Sequence, residues 1–525
     1  MIGLGVLLRI WQLSADASFW LDELALIRNI VDQPLPDLLF DPLEFGQMAP
    51  AGFLALSRWF WIVAQGADGA LRILPFVASV ATIPLIYLIG RRLLSPVAAV
   101  GATALIAFSP SLVILGGIAK QYSLDIAVTT ALMYGGLILI ERTGMARVSL
   151  AGVGVAGGTL LLFSFPAALA AFAIALLLVV HWYVDERDSW LSRAIALGLP
   201  LGTGAAVTTI HALKARSPET GAFLSEYWQA GFAPNVWTVP VWAWHQLAGV
   251  WDTTFLTPYP WPGRHTVLPM VMVGLCVIGG FALATRQRVA ALVVVAPIFV
   301  ALVAACVGFY PVEERLAVFL APSLALLTAA GAATLGQMAS SRFEHIASAT
   351  AVLPVVPVLL ALATTPPPVR LQETRPMLAD LSREWRTGDV LYSYFAANQA
   401  VAYYGPRFGL SDWRPGLCTA LDDVHGQLEQ IDELAGHSRV WVVFTHVLPE
   451  SRVMIDGMLA RLRENGIERQ ALLDYRKSFG TSAYLFDLSV TMPGGIVDRS
   501  TNTEMVAAAT CGAGPAANWR GTSPS

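Results

Sequence analysis

Charge is scarce in this chain. Asp, Glu, Lys and Arg make up 13% of its 525 residues, against 55% hydrophobic residues. An ordinary soluble globular protein carries about a quarter charged residues, so that class is excluded. With a mean hydropathy of +0.60, the chain reads as an integral membrane protein. A basic excess is missing too, because 33 Lys and Arg stand against 37 Asp and Glu, for a net charge of −4. Without a global positive field there is no reason to expect nucleic acid as a partner, and an anionic ligand has to be met by local Arg or Lys. Cysteine is limited to four residues, too few for a disulfide scaffold. Cys276 and Cys306 lie in apolar segments. Cys418 and Cys511 lie in the polar C-terminal part, either as a bridge outside the cytosol or as two unrelated thiols. Nothing in that polar C-terminal part matches a glycine-rich phosphate loop, a metal-ligand spacing or a hydrolase elbow, and the chain shows no internal repeat.

Long apolar runs are what the chain does have. Stretches of spanning length, about 17 to 25 residues, occur near 70–90, 96–118, 122–140, 148–164, 166–184, 193–213, 266–285, 289–309, 316–337 and 345–364. Residues 1–13 form a shorter one, either a span that starts further upstream or one completed by tilting and bilayer thinning. A signal peptide is disfavoured, since Asp16 follows directly and no small-residue cleavage site is evident. Residues 50–65, PAGFLALSRWFWIVAQ, carry Arg58, Trp59 and Trp61. Counted as a span, this segment puts Arg91 and Arg92 on the wrong side, so it reads as an interfacial helix. About eleven spans result, with the loops holding Arg91 and Arg92, Arg142 and Arg147, Arg187 and Arg193, Arg286 and Arg288, and Arg342 on the cytoplasmic side.

The opposite face collects the unusual residues: FWLDELAL (19–26), GGIAKQYSLD (116–125), the long loop 214–265, YPVEERL (310–316) and everything after TTPPP (364–368). Beyond that punctuation, DVLYSY and RVWVVFTH read as strands and 419–434 and 452–464 as helices. The expected organisation is a transmembrane domain over 1–365, a small α/β domain over 366–490 outside the cytosol, and a loose tail over 491–525.

Carboxylates at a membrane boundary are costly unless they face water, a cation or a polar cavity. Asp22 and Glu23 stand just beyond the first span. Taken alone, the pair equally suits a solvated interfacial helix with a Glu23 to Arg28 contact. Lys120, Tyr122 and Asp125 occupy a second turn at the same boundary, although an Asp in the first turn of a span also suits the helix dipole. Glu313, Glu314 and Arg315 stand before a late span. Arg offers a planar fork that keeps its charge and binds phosphate bidentately. Arg72, and Arg264 with His265, either add to that positive ring or snorkel to headgroups. Together these residues suit a site in which a carboxylate takes a proton from an acceptor while cations steady a leaving phosphate. The loop tryptophans Trp228, Trp237, Trp242, Trp244, Trp251 and Trp261 serve either as interfacial anchors or as stacking platforms for sugar rings.

In order and spacing, FWLDELAL, APAGFLALSRWFWIVAQGADGALRILP, IGRRLLSP, GGIAKQYSLD and EERLAVFLAP resemble the GT-C membrane glycosyltransferases. The resemblance is to the protein O-mannosyltransferase and lipid A aminoarabinose transferase group and covers about residues 1–365. One departure is Gln47-Met48-Ala49-Pro50, where relatives often carry His-Pro-Pro or Glu-Lys-Pro. The resemblance implies a GT-C-like polytopic α-helical protein with a C-terminal α/β domain outside the cytosol, in a bacterial plasma membrane. It implies transfer of a sugar from a polyprenyl-phosphate donor to a lipid, glycan or protein acceptor. Asp22 is the implied base, assisted by Glu23 and Asp125, with Lys120, Tyr122, Arg315 and Arg72 at the donor phosphate. Some members of the group use a divalent cation, for which Asp22, Glu23 and Asp125 are the candidate ligands. Two other classes compete: a transporter or flippase of lipid-linked sugars, and a noncatalytic protein using its C-terminal domain as a binding module. Polar groups gathered at one surface, with few charges at mid-span depth, favour surface chemistry over passage.

Overall fold

A computed structural model describes residues 1–489 apart from 143, 216, 217, 236, 262, 264–266, 340–348, 418–423, 448, 474 and 476–479. Helices occupy most of the first 365 residues. The first seven are α1 (Ile2–Ser14), α2 (Leu21–Asp32), α3 (Leu35–Phe40), α4 (Ala51–Val63), α5 (Ile73–Leu93), α6 (Pro96–Phe108) and α7 (Pro110–Leu115). Then follow α8 (Tyr122–Glu141), α9 (Arg147–Leu161), α10 (Ala167–Asp185), α11 (Trp190–Ala215), α12 (Pro218–Tyr227) and α13 (Val239–Phe255). The series closes with α14 (Val267–Arg286), α15 (Arg288–Cys306), α16 (Ala321–Ala339) and α17 (Val355–Thr364). Among the described residues, seven helical runs are long and apolar enough to cross a membrane: Asp68–Leu93, Tyr122–Glu141, Ala167–Asp185, Trp190–Ala215, Val267–Arg286, Arg288–Cys306 and Glu314–Ala339. Shorter apolar helices cover Ile2–Ser14, Ala51–Val63, Pro96–Phe108, Arg147–Leu161 and Thr350–Thr364. Each stretch read as a span from the sequence therefore carries a helix, though not always a full-length one.

The chain forms two compact units. A helical unit contains Met1–Ala15, Pro34–Pro42 and Met48–Val369; a C-terminal unit contains Asp16–Gln33, Leu43–Gln47 and the chain from Arg370 onward. The segment bearing FWLDELAL thus belongs with the C-terminal α/β region.

In the helical unit, the apolar run 96–118 is two helices, where the sequence suggests one. Pro110 has no N–H to continue the ladder, and Ser109 caps the new start by accepting the Leu112 N–H at 3.0 Å. The freed carbonyls at the end of α6 are taken by Arg9, which is 1% exposed and donates to Ile106 O and Ala107 O at 3.0 Å each. Arg9 also donates to Ser79 Oγ at 2.6 Å. A buried cation is thereby satisfied at the negative end of a helix.

Close helix contacts depend on glycine. A Cβ at Gly331 in α16 would lie 1.9 Å from Leu275 O in α14, and one at Gly204 in α11 would lie 2.3 Å from Gly158 O in α9. Lipid supplies no hydrophobic drive between helices, so backbone approach of this kind is what holds them. The Glu314–Ala339 run is 94% buried over its apolar window. It is therefore the centre of the helical unit.

The C-terminal unit is built on a five-stranded sheet in the order β2-β1-β3-β5-β4. Its elements in chain order are α18 (Thr374–Glu384), β1 (Val390–Ser393), α19 (Asn398–Tyr404), β2 (Arg414–Pro415), α20 (Val424–Asp432), β3 (Val440–Phe444), α21 (Pro449–Asn465), β4 (Ile467–Leu472) and β5 (Ser482–Asp487). Strands β1, β2 and β3 run parallel, and β5 returns antiparallel between β3 and β4. Every residue of β3, VWVVF, is buried, as a strand covered on both faces should be. Its core joins Val442, Phe444 and Phe486 of the sheet to Met454, Met458 and Leu462 of α21. The sequence reading places β1, β3, α20 and α21 near their observed positions, with residues 419–423 of the expected helix 419–434 outside the described residues; β2, β4, β5, α18 and α19 it does not single out. Cys418, Cys511 and the tail from residue 491 lie outside the described residues.

Candidate active site

The acids of the first loop sit in the C-terminal unit at the start of α2. Trp20 is extended, with φ −92° and ψ 171°, and the helix begins at the next residue. Glu23 accepts the Trp20 N–H at 3.2 Å, the carboxylate half of a capping box, and is 2% exposed. That bond occupies an orphan donor and complements the helix dipole. Asp22, one residue earlier, is half-buried. Further along α2, Arg28 pairs with Asp32 at 2.6 Å, donates to Gln399 at 3.3 Å and lies over the Phe45 ring at 5.9 Å.

The remaining sequence-derived candidates belong to the helical unit. In the second loop Lys120 is 4% exposed, and Tyr122 and Asp125 open α8 with almost equal burial. The loop is fastened by Gln121, which donates to Met48 O at 3.3 Å. Asp125 is hydrogen-bonded to the Ser164 side chain. Its Oδ1 has no hydrogen-bond partner among the described residues. An unsatisfied buried carboxylate oxygen is costly and calls for a functional explanation.

Two tyrosines that sequence reasoning passed over join this group. The Tyr259 ring lies 6.2 Å from that of Tyr122. The Tyr310 phenol donates to Leu316 O at 2.9 Å and is held well above its ordinary pKa, first by burial and then by the negative potentials of Asp125 and Tyr122. The second loop and the turn before the last long span therefore share one polar neighbourhood. Tyr310 stands inside YPVEERL, so its place beside the acids was the available signal; Tyr259, in TPYPWPG, gave none.

In that same turn burial and then Glu314 raise the Glu313 carboxyl pKa above 4.5. Glu314 adopts φ 37°, a left-handed backbone that a non-glycine residue holds only under constraint. Arg315 lies over the Trp228 ring at 5.0 Å. Arg72 ends the 3-10 turn Asp68–Arg72 and is 4% exposed. Arg264 and His265 lie outside the described residues. The loop tryptophans divide: Trp228 and Trp251 are buried, Trp237 is 89% exposed, and the Trp251 indole donates to Thr328 at 3.2 Å.

Among the described residues no three His, Cys, Asp or Glu side chains gather as a metal-ligand set, and Glu23 is already engaged as a cap.

Residues 49–204 match the family model of dolichyl-phosphate-mannose-protein mannosyltransferase. No curated protein matches the sequence. Among solved structures, the chain is similar to ArnT from Cupriavidus metallidurans bound to undecaprenyl phosphate, at 11% identity and TM-score 0.51, over 94% of this chain and 98% of that one. It is also similar to the oligosaccharyltransferase AglB from Archaeoglobus fulgidus in complex with an inhibitory peptide and a dolichol-phosphate, at 12% identity and TM-score 0.47, over 92% and 73% of the two chains. At such identity the ArnT likeness is one of fold: a GT-C-type helical membrane architecture with a small C-terminal sheet domain.

Proposed function

We propose that the chain is a membrane glycosyltransferase that moves a sugar from a polyprenyl-phosphate donor to a lipid, glycan or protein acceptor. The reaction is assigned to the outer face of a bacterial plasma membrane. The observation that carries this reading is the family match over residues 49–204 on a fold like that of a structure holding undecaprenyl phosphate. The residues supply what such a transfer needs. An acceptor hydroxyl or amine attacks the anomeric carbon as the bond from that carbon to the phosphate oxygen breaks. The acceptor proton passes to a carboxylate, and the polyprenyl phosphate leaves carrying the negative charge.

Asp22 is assigned as the base, since its neighbour Glu23 is engaged as a cap. Lys120 and Arg315 are assigned to the departing phosphate, with Tyr122 and Arg72 contributing to the same charge balance. Asp125, with one oxygen unpartnered among the described residues, is assigned to holding a donor-sugar hydroxyl.

The test is transfer of radiolabelled sugar in proteoliposomes from a panel of polyprenyl-phosphate sugars, comparing the unaltered chain with Asp22→Asn. Loss of a general base lowers the rate by about 10²- to 10⁴-fold, and donor binding should survive. If the unaltered chain consumes no donor but moves labelled lipid between leaflets, the protein is a flippase and this reading is wrong.

A further inference from the structure

In an open parallel sheet, ligands bind beyond the carboxyl ends of the strands, at the point where the connections diverge to either side. The order β2-β1-β3 puts that point between β1 and β3. Their carboxyl ends are Ser393 and Phe444, and the next residues are Tyr394 and Phe395 on one side and Thr445 and His446 on the other. The Thr445 hydroxyl ties the two ends together by donating to Ala396 O at 3.1 Å. The chain's own first loop packs against this end of the sheet.

Leu21 packs on the core cluster that contains Tyr394 and Phe444. The Trp20 ring lies 5.7 Å from that of His446. The Phe19 ring stacks on Tyr404 at 6.5 Å and meets Tyr403 edge-on at 5.9 Å. The Phe19 N–H donates to the Tyr404 hydroxyl at 2.8 Å. Phe19 and Trp20 are 0% and 4% exposed. One turn upstream, the Arg375 N–H at the start of α18 donates to Ser18 Oγ at 3.0 Å, and Arg375 pairs with Asp16 at 2.7 Å. His446 itself holds φ 55°, a backbone that persists in a non-glycine residue only where the surroundings determine it.

We infer that the C-terminal α/β unit serves transfer by holding the acid-bearing helix in its own ligand crevice, with Tyr404 and His446 as positioning residues for Asp22. This rests on the assignment of Asp22 as the base. Asp22 follows Trp20 by two positions, so the direction in which Phe19 and Trp20 leave the crevice sets where the carboxylate stands. A misplacement of about 1 Å at a reacting group costs up to about 10²-fold in rate. The unit thereby contributes geometry to the reaction.

The experiment uses the full-length protein in proteoliposomes, with the polyprenyl-phosphate sugar that the unaltered chain consumes, and with kcat expressed per donor-binding site. Tyr404→Phe keeps the aromatic contacts and removes only the hydroxyl that accepts from Phe19. The expected result is a fall in kcat of about tenfold with donor KM within twofold, and amide exchange at Phe19 about fivefold faster, the loss of one net hydrogen bond. His446→Asn, which tolerates a left-handed backbone, should retain more activity than His446→Ala. If the unaltered chain transfers sugar and both Tyr404→Phe and His446→Ala leave kcat within twofold, the C-terminal unit does not position Asp22 and the inference is overturned. If Tyr404→Phe fails to fold, the ratio between the two His446 variants decides. No transfer by the unaltered chain is a different outcome, which removes the glycosyltransferase reading itself.

Discussion

At the scale of single residues, burial separates carboxylates that look alike in the sequence. Asp22 and Glu23 are adjacent, yet Glu23 is consumed by the Trp20 N–H because an N3 carboxylate reaches back to the residue before the helix. Glu313 and Glu314 are also adjacent, and the carboxyl of Glu313 is raised above 4.5 by burial and by its neighbour. An acid whose folded pKa lies above its unfolded one is held protonated more tightly by the folded state. Stability is therefore lost as pH rises from the ordinary carboxylate value through the raised one, and the loss stays in place above that. Glu313→Gln removes the titration and keeps the side chain's shape. The variant is expected to unfold at a higher temperature than the unaltered chain at neutral pH, with the gap closing as pH falls toward the ordinary value of about 4.5. Thermal unfolding of the detergent-solubilised chain across that range checks it; a gap independent of pH would mean that the Glu313 charge is not what is being relieved.

At the scale of elements, hydropathy located the helices of the long apolar runs, because such a run must satisfy its own backbone in lipid and has no other regular solution; it did not locate α3, or α12 and α13, which lie in the stretch 214–265 read as a long loop. What hydropathy cannot register is a break inside an apolar run. The division of 96–118 rests on one proline, one serine cap and an arginine from a distant helix, and only the proline carries a local signal. The same holds for helix pairing. Gly331 and Gly198 are equivalent in composition, yet a Cβ at Gly331 would strike backbone at 1.9 Å, whereas one at Gly198 would meet nothing within 4 Å. Gly331→Ala is expected to separate α14 from α16 at a cost above about 3 kcal/mol, as overpacking against rigid backbone requires, and to leave little folded protein. Gly198→Ala should be neutral or slightly stabilising, since alanine is the better helix former. Yields and unfolding temperatures of the two variants, purified in parallel, give the comparison; equal behaviour would show that the α14 to α16 approach is not a tight constraint.

At the scale of the whole molecule, a linear reading of the sequence separates a transmembrane part from a polar C-terminal part, and cannot show that residues 16–33 and 43–47 leave the first and rejoin the second. Tertiary contacts such as Phe19 to Tyr404 span 385 positions and leave no periodic trace. The candidate acids and cations were legible because charge is rare enough in this chain to stand out; Tyr259, Tyr404 and His446 were not, because aromatic residues are common at membrane boundaries. The proposed roles then make the two units separable by experiment. Cations that hold a phosphate act on binding, whereas a base acts on the chemical step. Undecaprenyl phosphate added to the purified full chain is expected to raise its unfolding temperature, by mass action worth about 2.7 kcal/mol at a hundredfold excess over Kd. Lys120→Ala and Arg315→Ala should each weaken that affinity by about tenfold or more, the value of a charge-assisted hydrogen bond. Asp22→Asn should leave the shift intact while abolishing transfer. A lipid-phosphate shift that survives loss of both cations would place the phosphate elsewhere in the molecule, and a shift lost in Asp22→Asn would make Asp22 part of the donor site.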